Sequence, residues 1–143
     1  MLFSEVHGRK VVSTANAETV GKVDDFVVDP ASRSVVALRL KKTDSGDTLT
    51  WAGLTAVGAD AVTVADASVI TAADGRVAEL LGKDHRAVGK RVLSDLGDEL
   101  GKVSDVDFDP ANGAITTIRV GERDVPGSAL LGIGSYAVVV HSN

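Results

Sequence analysis

The chain contains no cysteine, few aromatic residues and no long apolar run. Without cysteine it can form no disulfide, no thiolate nucleophile and no cysteine-ligated zinc or iron–sulfur centre. No apolar run approaches about 18 residues, so we expect no transmembrane segment. Glu5 and His7 stand where a signal peptide needs an apolar stretch, and we therefore expect a mature, cytoplasmic protein.

The chain also lacks an excess of basic residues. Fifteen Lys and Arg stand against 20 Asp and Glu, which gives a formal net charge of −5. Nucleic-acid binding depends on neutralising phosphates, so this balance argues against nucleic acid as a partner. Basic residues are concentrated in one short segment, which contains Lys83, His85, Arg86, Lys90 and Arg91. This segment could bind RNA or form a solvated linker. The presence of Asp84 and the absence of nearby aromatic residues favour the linker.

Valine is abundant where aromatic residues are scarce. The chain has 23 valines among 143 residues, against 3% aromatic residues. Because β-branched side chains suit a pleated surface, this composition predicts a mainly β protein. The length allows one ordinary domain or two small ones.

A duplicated segment decides between one domain and two. Residues 21–40 align without a gap with residues 101–120, at an offset of 80, and eight of the 20 positions are identical. The similarity continues on both sides, from Gly8–Ser13 with Gly89–Ser94 to Leu49–Val64 with Val125–Val140. The chain is therefore predicted to hold a first repeat at residues 1–65, a linker at 66–86 and a second repeat at 87–143. We expect the two repeats to dock in a pseudo-twofold arrangement.

Short strands separated by turns are predicted in each repeat, from alternating apolar residues and from the Asp-Pro-Ala turns at Asp29 and Asp109. In the first repeat they lie near Lys10–Ser13, Lys22–Val28, Ser34–Lys41, Asp47–Trp51 and Ala61–Val64. In the second they lie near Lys90–Ser94, Lys102–Asp109, Ala114–Val120, Arg123–Pro126 and Ala137–His141.

The linker is predicted to contain a short helix that packs on a barrel. Val77, Leu80 and Leu81 are spaced like one face of a helix. Asp74 is a plausible N-cap and Gly82 a plausible end.

The repeated pattern resembles the PRC-barrel domain, which is named for the photosynthetic reaction centre H subunit and also forms the C-terminal part of the RimM ribosome maturation factor. The resemblance implies a small, partly open β-barrel used for assembly and contact, with no shared catalytic residues. The membrane helix of the former protein and the N-terminal domain of the latter are not recognisable here, which weakens both of those roles. The first repeat carries the resemblance in Gly8, Val11, Val12, Gly21, Lys22, Val23, Asp29, Pro30, Val36, Leu38 and Leu54. The second carries it in Gly89, Val92, Leu93, Gly101, Lys102, Val103, Asp109, Pro110, Ile118 and Leu130.

Two segments imitate known binding motifs but fail their requirements. Asp105-Val-Asp107-Phe-Asp109 begins like a calcium loop, yet Pro110 and Thr116 stand where that loop needs Gly and Glu. We interpret it, and the run from Asp24 to Asp29, as strand edges leading into turns. The glycines from Gly132 onward fit a loose dinucleotide fingerprint, but too few residues follow for the required helix.

No catalytic constellation is supported by the sequence. His7, His85 and His141 are far apart along the chain and lack the spacing of a helical metal pair. No Gly-x-Ser-x-Gly elbow presents a serine. We therefore predict a protein that is not an enzyme and that uses no cofactor or metal.

One difference between the repeats points to an interaction surface. Val27 in the first repeat is equivalent to Asp107 in the second. If both side chains point away from their own core, Val27 lies on an apolar outer patch that packs on the other repeat, the linker or another protomer. Trp51 is a second candidate because tryptophan is enriched at interfaces; burial within the first barrel explains it equally well.

The sequence thus predicts a non-catalytic module for protein interaction or assembly, with an unidentified protein partner or self-association. Two alternatives stay open. One is an RNA- or ribosome-associated factor similar to the RimM barrel. The other is a sensor that binds a small molecule or ion in the barrel mouth or the groove between the repeats.

Overall fold

The computed structural model describes residues 1–82 and 86–142, and within them the chain folds into two six-stranded sheets. The first sheet contains β1 (Lys10–Ser13), β2 (Thr19–Asp29), β3 (Ser34–Lys41), β4 (Thr48–Thr50), β5 (Leu54–Val57) and β6 (Ala61–Val64). The second contains β7 (Arg91–Ser94), β8 (Glu99–Phe108), β9 (Ile115–Val120), β10 (Arg123–Pro126), β11 (Leu130–Ile133) and β12 (Val138–Val140). Helices α1 (Phe3–Val6) and α2 (Gly75–Leu81) precede β1 and follow β6.

Both sheets have the same topology. The strand orders are β4-β3-β2-β1-β6-β5 and β10-β9-β8-β7-β12-β11. Neighbouring strands are antiparallel except β1 with β6 and β7 with β12, which are parallel. The two edge strands of a sheet do not pair with each other, so each repeat is a curled but unclosed barrel. The predicted fold class, two tandem partly open barrels related by an internal repeat, is confirmed.

Most of the predicted strands are confirmed. Four predicted ranges match the structure residue for residue, namely Lys10–Ser13, Ser34–Lys41, Ala61–Val64 and Arg123–Pro126. Helix α1 and strands β5 and β11 were not predicted; each of these two strands directly follows a 3-10 turn and contains a β-bulge, which interrupts the alternation of side chains. The strand predicted over Asp47–Trp51 is shorter than expected, since Trp51 begins a 3-10 turn.

The two barrels share one hydrophobic core built largely from valine. Buried side chains of both repeats form a single cluster that also includes Phe3 and Val6 of α1. Small β-branched side chains fill the narrow space inside each short-stranded barrel. The repeats therefore stabilise each other, as domains of this size bury too little surface alone.

The repeats meet at equivalent positions. Ser34 forms a β-bridge with Ala114, which is its own counterpart at the offset of 80. The Val35 N–H donates to Gly113 O at 2.8 Å, and the Ile115 N–H donates to Arg33 O at 3.0 Å. Each of these hydrogen bonds is the image of the other under the repeat alignment. The docking is therefore pseudo-twofold, as expected from the duplication.

The scarce aromatic residues are concentrated where the repeats meet. Phe3 stacks on Phe26 with ring centroids 4.0 Å apart, and both rings contact Phe108. Trp51 meets Phe108 edge-on. Of the five aromatic residues in the chain, only Tyr136 lies elsewhere, at the surface. Large rings thus fill the junction between two barrels whose interiors are filled by valine.

The segment after β6 returns to the first repeat. Thr71 forms a β-bridge with Thr48 in β4, and the Ile70 side chain is buried in the core. Helix α2 then begins after Asp74 and ends at Gly82, as the sequence predicts, although the Asp74 side chain caps no backbone N–H. The predicted domain boundaries stay predictions; the structure shows that residues 66–82 contact the first barrel.

Candidate functional site

Val27, a predicted interaction residue, lies beneath the linker helix. Its side chain is fully buried, in a small cluster with Ala37 of β3 and Leu80 of α2. Val77 and Leu81 of α2 pack against the same cluster. The sequence left open whether Val27 packs on the other repeat, the linker or another protomer. In the structure it packs on the linker helix. In this conformation Val27 presents no surface to a partner.

An ion pair fixes helix α2 at the end of β2. The Arg76 guanidinium donates to both carboxylate oxygens of Asp29, with Nε 3.1 Å from Oδ2 and Nη2 3.0 Å from Oδ1. The Asp29 carboxylate also accepts from the Ala31 N–H within the Asp-Pro-Ala turn. The hydrogen bonds from Arg76 hold the pKa of Asp29 below its ordinary value. In the second repeat the equivalent Asp109 accepts from Ala111 N–H in the same turn.

Trp51, the second predicted interaction residue, lies at the boundary between the repeats. It is partly buried, and its ring packs against Phe108 and the backbone of Gly113. Gly113 has a φ of +80°, and a Cβ there would come 3.1 Å from Trp51 Cδ2. The indole therefore requires a glycine opposite it. Trp51 serves the contact between the two barrels, which sequence reasoning could not distinguish from burial within one.

A cavity of about 550 Å³ lies between the repeats. Equivalent residues of both repeats line it, with Asp24 and Asp25 on one side and Ser104 and Asp105 on the other. Its wall also includes Phe3 and Phe26 from the aromatic cluster, together with His7 and Arg86. The cavity is thus polar and acidic on its sides and apolar at the aromatic wall.

The paired aspartates in this cavity contact segments that lead into the opposite repeat. Ser4, in the helix before the first barrel, donates its backbone N–H and its hydroxyl to Asp105. Arg86, just before the second barrel, places its Nε 2.8 Å from Asp25 Oδ2. The only sign of these contacts in the sequence is that the two repeats have the same residue, aspartate, at the equivalent positions Asp25 and Asp105. These contacts tie each barrel to the entry of the other.

The segment Asp105–Asp109, which imitates the start of a calcium loop, lies at the end of β8 and in the turn that follows it. Val106 and Phe108 are buried in β8, while the intervening Asp107 carboxylate lies 2.6 Å from the amino group of Met1. In the part of the chain that the structure describes, no group of three or more His, Asp or Glu side chains could hold a metal ion. Within that part, no helix is long and apolar enough to cross a membrane.

The histidines and the basic concentration are dispersed. His7 lines the cavity between the repeats, and His141 Nδ1 lies 3.0 Å from Asp95 Oδ2. Backbone donation from Ser142, assisted by His141, lowers the pKa of Asp95 to about 2. Arg91 stacks on Tyr136 with its Cζ 4.6 Å from the ring centroid. Lys83, Asp84 and His85 lie outside the described residues.

A second concave surface lies along β10, at the outer edge of the second sheet. It is a cavity of about 310 Å³ bounded by β10, the ends of β7 and β12, and the start of β8. Its apolar lining comes from Leu100, Val125 and Val140, and polar groups surround it. Neither the cavity nor the open edge beside it had a sequence signal, because both depend on which strand lies at the edge of the sheet.

Large apolar side chains are exposed only on the second half of the molecule, among the described residues. They are Val88 (50% exposed), Leu96 (75%), Leu131 (48%) and Tyr136 (66%). Leu96 follows β7 and Leu131 lies in β11, at the same end of the sheet according to the strand register. The two repeats thus have the same fold but different surfaces.

Comparison with known proteins identifies the fold family. No curated protein matches the chain. The family model of the PRC-barrel domain matches it twice, at residues 1–77 and at residues 81–141. These matches cover both barrels and nearly the whole chain. The chain therefore belongs to the PRC-barrel domain family and carries two copies of the domain in tandem.

Proposed function

We propose that this protein is a non-catalytic module for protein interaction or assembly, in which the second barrel carries the partner-binding surface. The first barrel and its linker form the base that supports it. The observation that carries this proposal is the confinement of exposed large apolar side chains to residues 88–136 among the described residues. These side chains include two groups, Leu96 with Leu131 at one end of the second sheet and Tyr136 beside Arg91 at the other. Grouped exposed apolar side chains are typical of interaction sites.

In the first barrel, two surfaces that could bind a partner are covered by other parts of the same chain. Its outer sheet face is covered by helix α2 at Val27, and the edge of β4 is paired with Thr71. The second barrel has Asp107 at the position of Val27, and there the amino group of Met1 pairs with the carboxylate. The outer edge of β10, by contrast, has no counterpart of Thr71 among the described residues. A duplicated domain in which one copy keeps an open sheet edge fits a role in contact better than a role in catalysis.

The proposal is tested by partner capture from the native cell with two variants of the full chain. Leu96→Ser combined with Tyr136→Ser should reduce recovery of a specific partner, or reduce self-association measured by sedimentation velocity. Ala15→Ser is the matched control, because Ala15 is the exposed counterpart of Leu96 in the first repeat. Equal recovery with the double variant and the control would contradict the proposal.

A second candidate function is the binding of a small molecule between the repeats. The observation that favours it is the 550 Å³ cavity, whose size lies within the usual range for ligand pockets. The carboxylates of Asp25 and Asp105 would favour a cationic or hydrogen-bond-donating ligand. A thermal-shift screen with polyamines and other small cations should raise the melting temperature, and Asp105→Asn should remove the rise while Asp60→Asn retains it. No rise with any compound would count against this candidate.

The alternative of RNA binding gains no support from the described basic residues. Arg86 pairs with Asp25, and Arg91 lies 3.6 Å from Glu99 as well as over Tyr136. These guanidinium groups are directed at carboxylates and a phenol of the protein itself, and phosphate binding would have to compete with those contacts.

A further inference from the structure

The first barrel shows how the open side of this fold can be closed. After β6 the chain crosses to β4, where Thr71 donates its N–H to Thr48 O at 2.9 Å and accepts from Thr48 N–H at 2.9 Å. The preceding Ile70 is only 5% exposed and belongs to the core. Ile70 and Thr71 thus form a closing segment that pairs with the edge of β4 through one β-bridge and directs one aliphatic side chain inward.

The corresponding space in the second barrel is open. The 310 Å³ cavity beside β10 is lined by counterparts of Thr48, which pairs with Thr71, and of Val20, Leu49 and Val64, which lie in the same pocket or core cluster as Ile70. In the repeat alignment, Ser94, Leu100, Asp124, Val125 and Val140 of the cavity correspond to Ser13, Val20, Thr48, Leu49 and Val64. No strand within residues 1–82 and 86–142 pairs with the outer edge of β10.

Thr48 and Asp124 show the difference most clearly. Both occupy the same register position, Thr48 opposite Arg39 and Asp124 opposite Arg119. In this register the backbone N–H and C=O of each residue point outward from the sheet. Thr48 is 1% exposed because the closing segment covers it, whereas Asp124 is exposed. The second barrel therefore presents an unpaired donor and acceptor beside an apolar cavity.

We propose that the edge of β10 binds an extended segment of a partner protein, antiparallel to the strand, in the way that Ile70 and Thr71 bind β4. One aliphatic side chain of the segment fills the cavity at Leu100 and Val125. The next residue of the segment is Lys or Arg, which faces the carboxylate of Asp124. This inference rests on the proposed function and specifies the chemistry of the partner.

Both parts of the recognition follow from ordinary strand pairing. Main-chain hydrogen bonds to the edge of a sheet provide affinity without regard to sequence, and pockets for alternate side chains provide specificity. The cavity selects the aliphatic residue, as its counterpart does for Ile70. Asp124 stands opposite Arg119 on the inner side of the sheet. A basic residue on the open side would place a second opposite charge beside this carboxylate, where the first barrel has the pair Thr48 and Thr71.

The probe is a labelled synthetic peptide with the sequence of residues 66–73 and the change Thr71→Lys. We expect it to bind the full chain, to shift the amide resonances of β10 and to slow hydrogen exchange at the Asp124 N–H. A peptide that also carries Ile70→Asp should not bind. Asp124→Lys in the protein should weaken binding about tenfold, because an attractive cross-strand pair becomes repulsive. Binding should return with a peptide that carries Glu in place of the Lys.

The control variant is Asp44→Lys, which makes the same charge change at an exposed loop position of the first repeat. It should bind the peptide like the wild type. Absence of binding at millimolar peptide, or resonance shifts confined to other surfaces, would overturn the inference. The inference would also be overturned if the Asp124→Lys protein still captured the native partner. If the variant at Leu96 and Tyr136 lost that partner in the same experiment, the proposed function would nevertheless stand.

Discussion

The indole of Trp51 meets the ring of Phe108 edge-on, with centroids 6.1 Å apart and an interplanar angle of 90°. Trp51 belongs to the first barrel and Phe108 to the second. Edge-to-face pairs of this kind add to the free energy gained by burial. The contact joins the two barrels at a point where the repeats differ, since Gly127 is the counterpart of Trp51 in the alignment.

Removal of this ring should weaken the whole molecule. We expect Trp51→Ala to lower the free energy of unfolding by about 2–4 kcal/mol, because the ring fills the junction between two barrels that share a core. Urea denaturation followed by far-UV circular dichroism measures the change. Tyr136→Ala, at the exposed aromatic residue, should stay within about 0.5 kcal/mol of the wild type. Similar losses for both variants would contradict this role for Trp51.

The glycine opposite Trp51 allows a sharper test. We expect Gly113→Ala to destabilise the protein more than Gly121→Ala. Both glycines have positive φ, +80° and +60°, so both substitutions bear a backbone cost of about 1 kcal/mol. Only at Gly113 would a Cβ also approach within 2.7 Å of Val35 O, at the hydrogen bonds between the repeats. The difference between the melting temperatures of the two variants measures the steric overlap, because both variants carry the backbone strain. Equal melting temperatures would show that the junction tolerates a methyl group.

Helix α2 can be tested by exchanging residues between the repeats. Val27→Asp gives the first repeat the side chain that the second one has, but places a carboxylate beneath Leu80. We expect a loss of about 3 kcal/mol or more, because an unpaired charge would be buried. Val88→Asp, at a half-exposed position, should have little effect on thermal unfolding. Tolerance of Val27→Asp would mean that α2 is not firmly docked.

The contact between Asp29 and Arg76 should make stability depend on acidity. Because the pKa of Asp29 is lower in the folded protein than its ordinary 3.8, the ionised carboxylate stabilises the folded state above that pH. This contribution is lost as the pH falls through the lowered pKa. We expect Arg76→Ala to lower the free energy of unfolding at neutral pH and to lower it less in acid. Denaturation at several pH values measures the difference.

A control at the equivalent turn makes the pH result specific. Asp109→Asn alters the matching carboxylate of the second repeat, which accepts from a backbone N–H that an Asn oxygen can also accept. It should shift stability much less than Arg76→Ala at neutral pH. A constant cost of Arg76→Ala at every pH would show that the arginine acts through packing alone.

Predictability from sequence followed the range of the interactions. The long strands β2, β3 and β8 were predicted because their side chains alternate over six or more residues. The ends of α2 were predicted from Asp74 and Gly82 because helix boundaries depend on neighbouring residues. The four-residue strands β5 and β11 were not, since each pairs with its neighbour through a β-bulge that interrupts the alternation over the few residues available.

The candidate sites were less predictable than the fold. Val27 was singled out because its counterpart is Asp107, but the sequence could not say that α2 covers it. Asp25 and Asp105 were visible only as identical residues in an alignment. Their contacts with Arg86 and Ser4 join residues from opposite repeats, and local patterns carry no information about such contacts.

By itself the sequence determined that the chain is β-rich, duplicated and filled largely by valine, because side-chain alternation and turn residues act over a few positions. The tertiary structure joined the interiors of the two repeats into one core. Only the tertiary structure decided that the two copies differ in use. It closes the edge of β4 with Thr71 and leaves Asp124 on β10 exposed. The reason is physical: an edge strand is paired or open according to what the rest of the chain brings beside it, and two nearly equivalent strands can therefore have opposite roles.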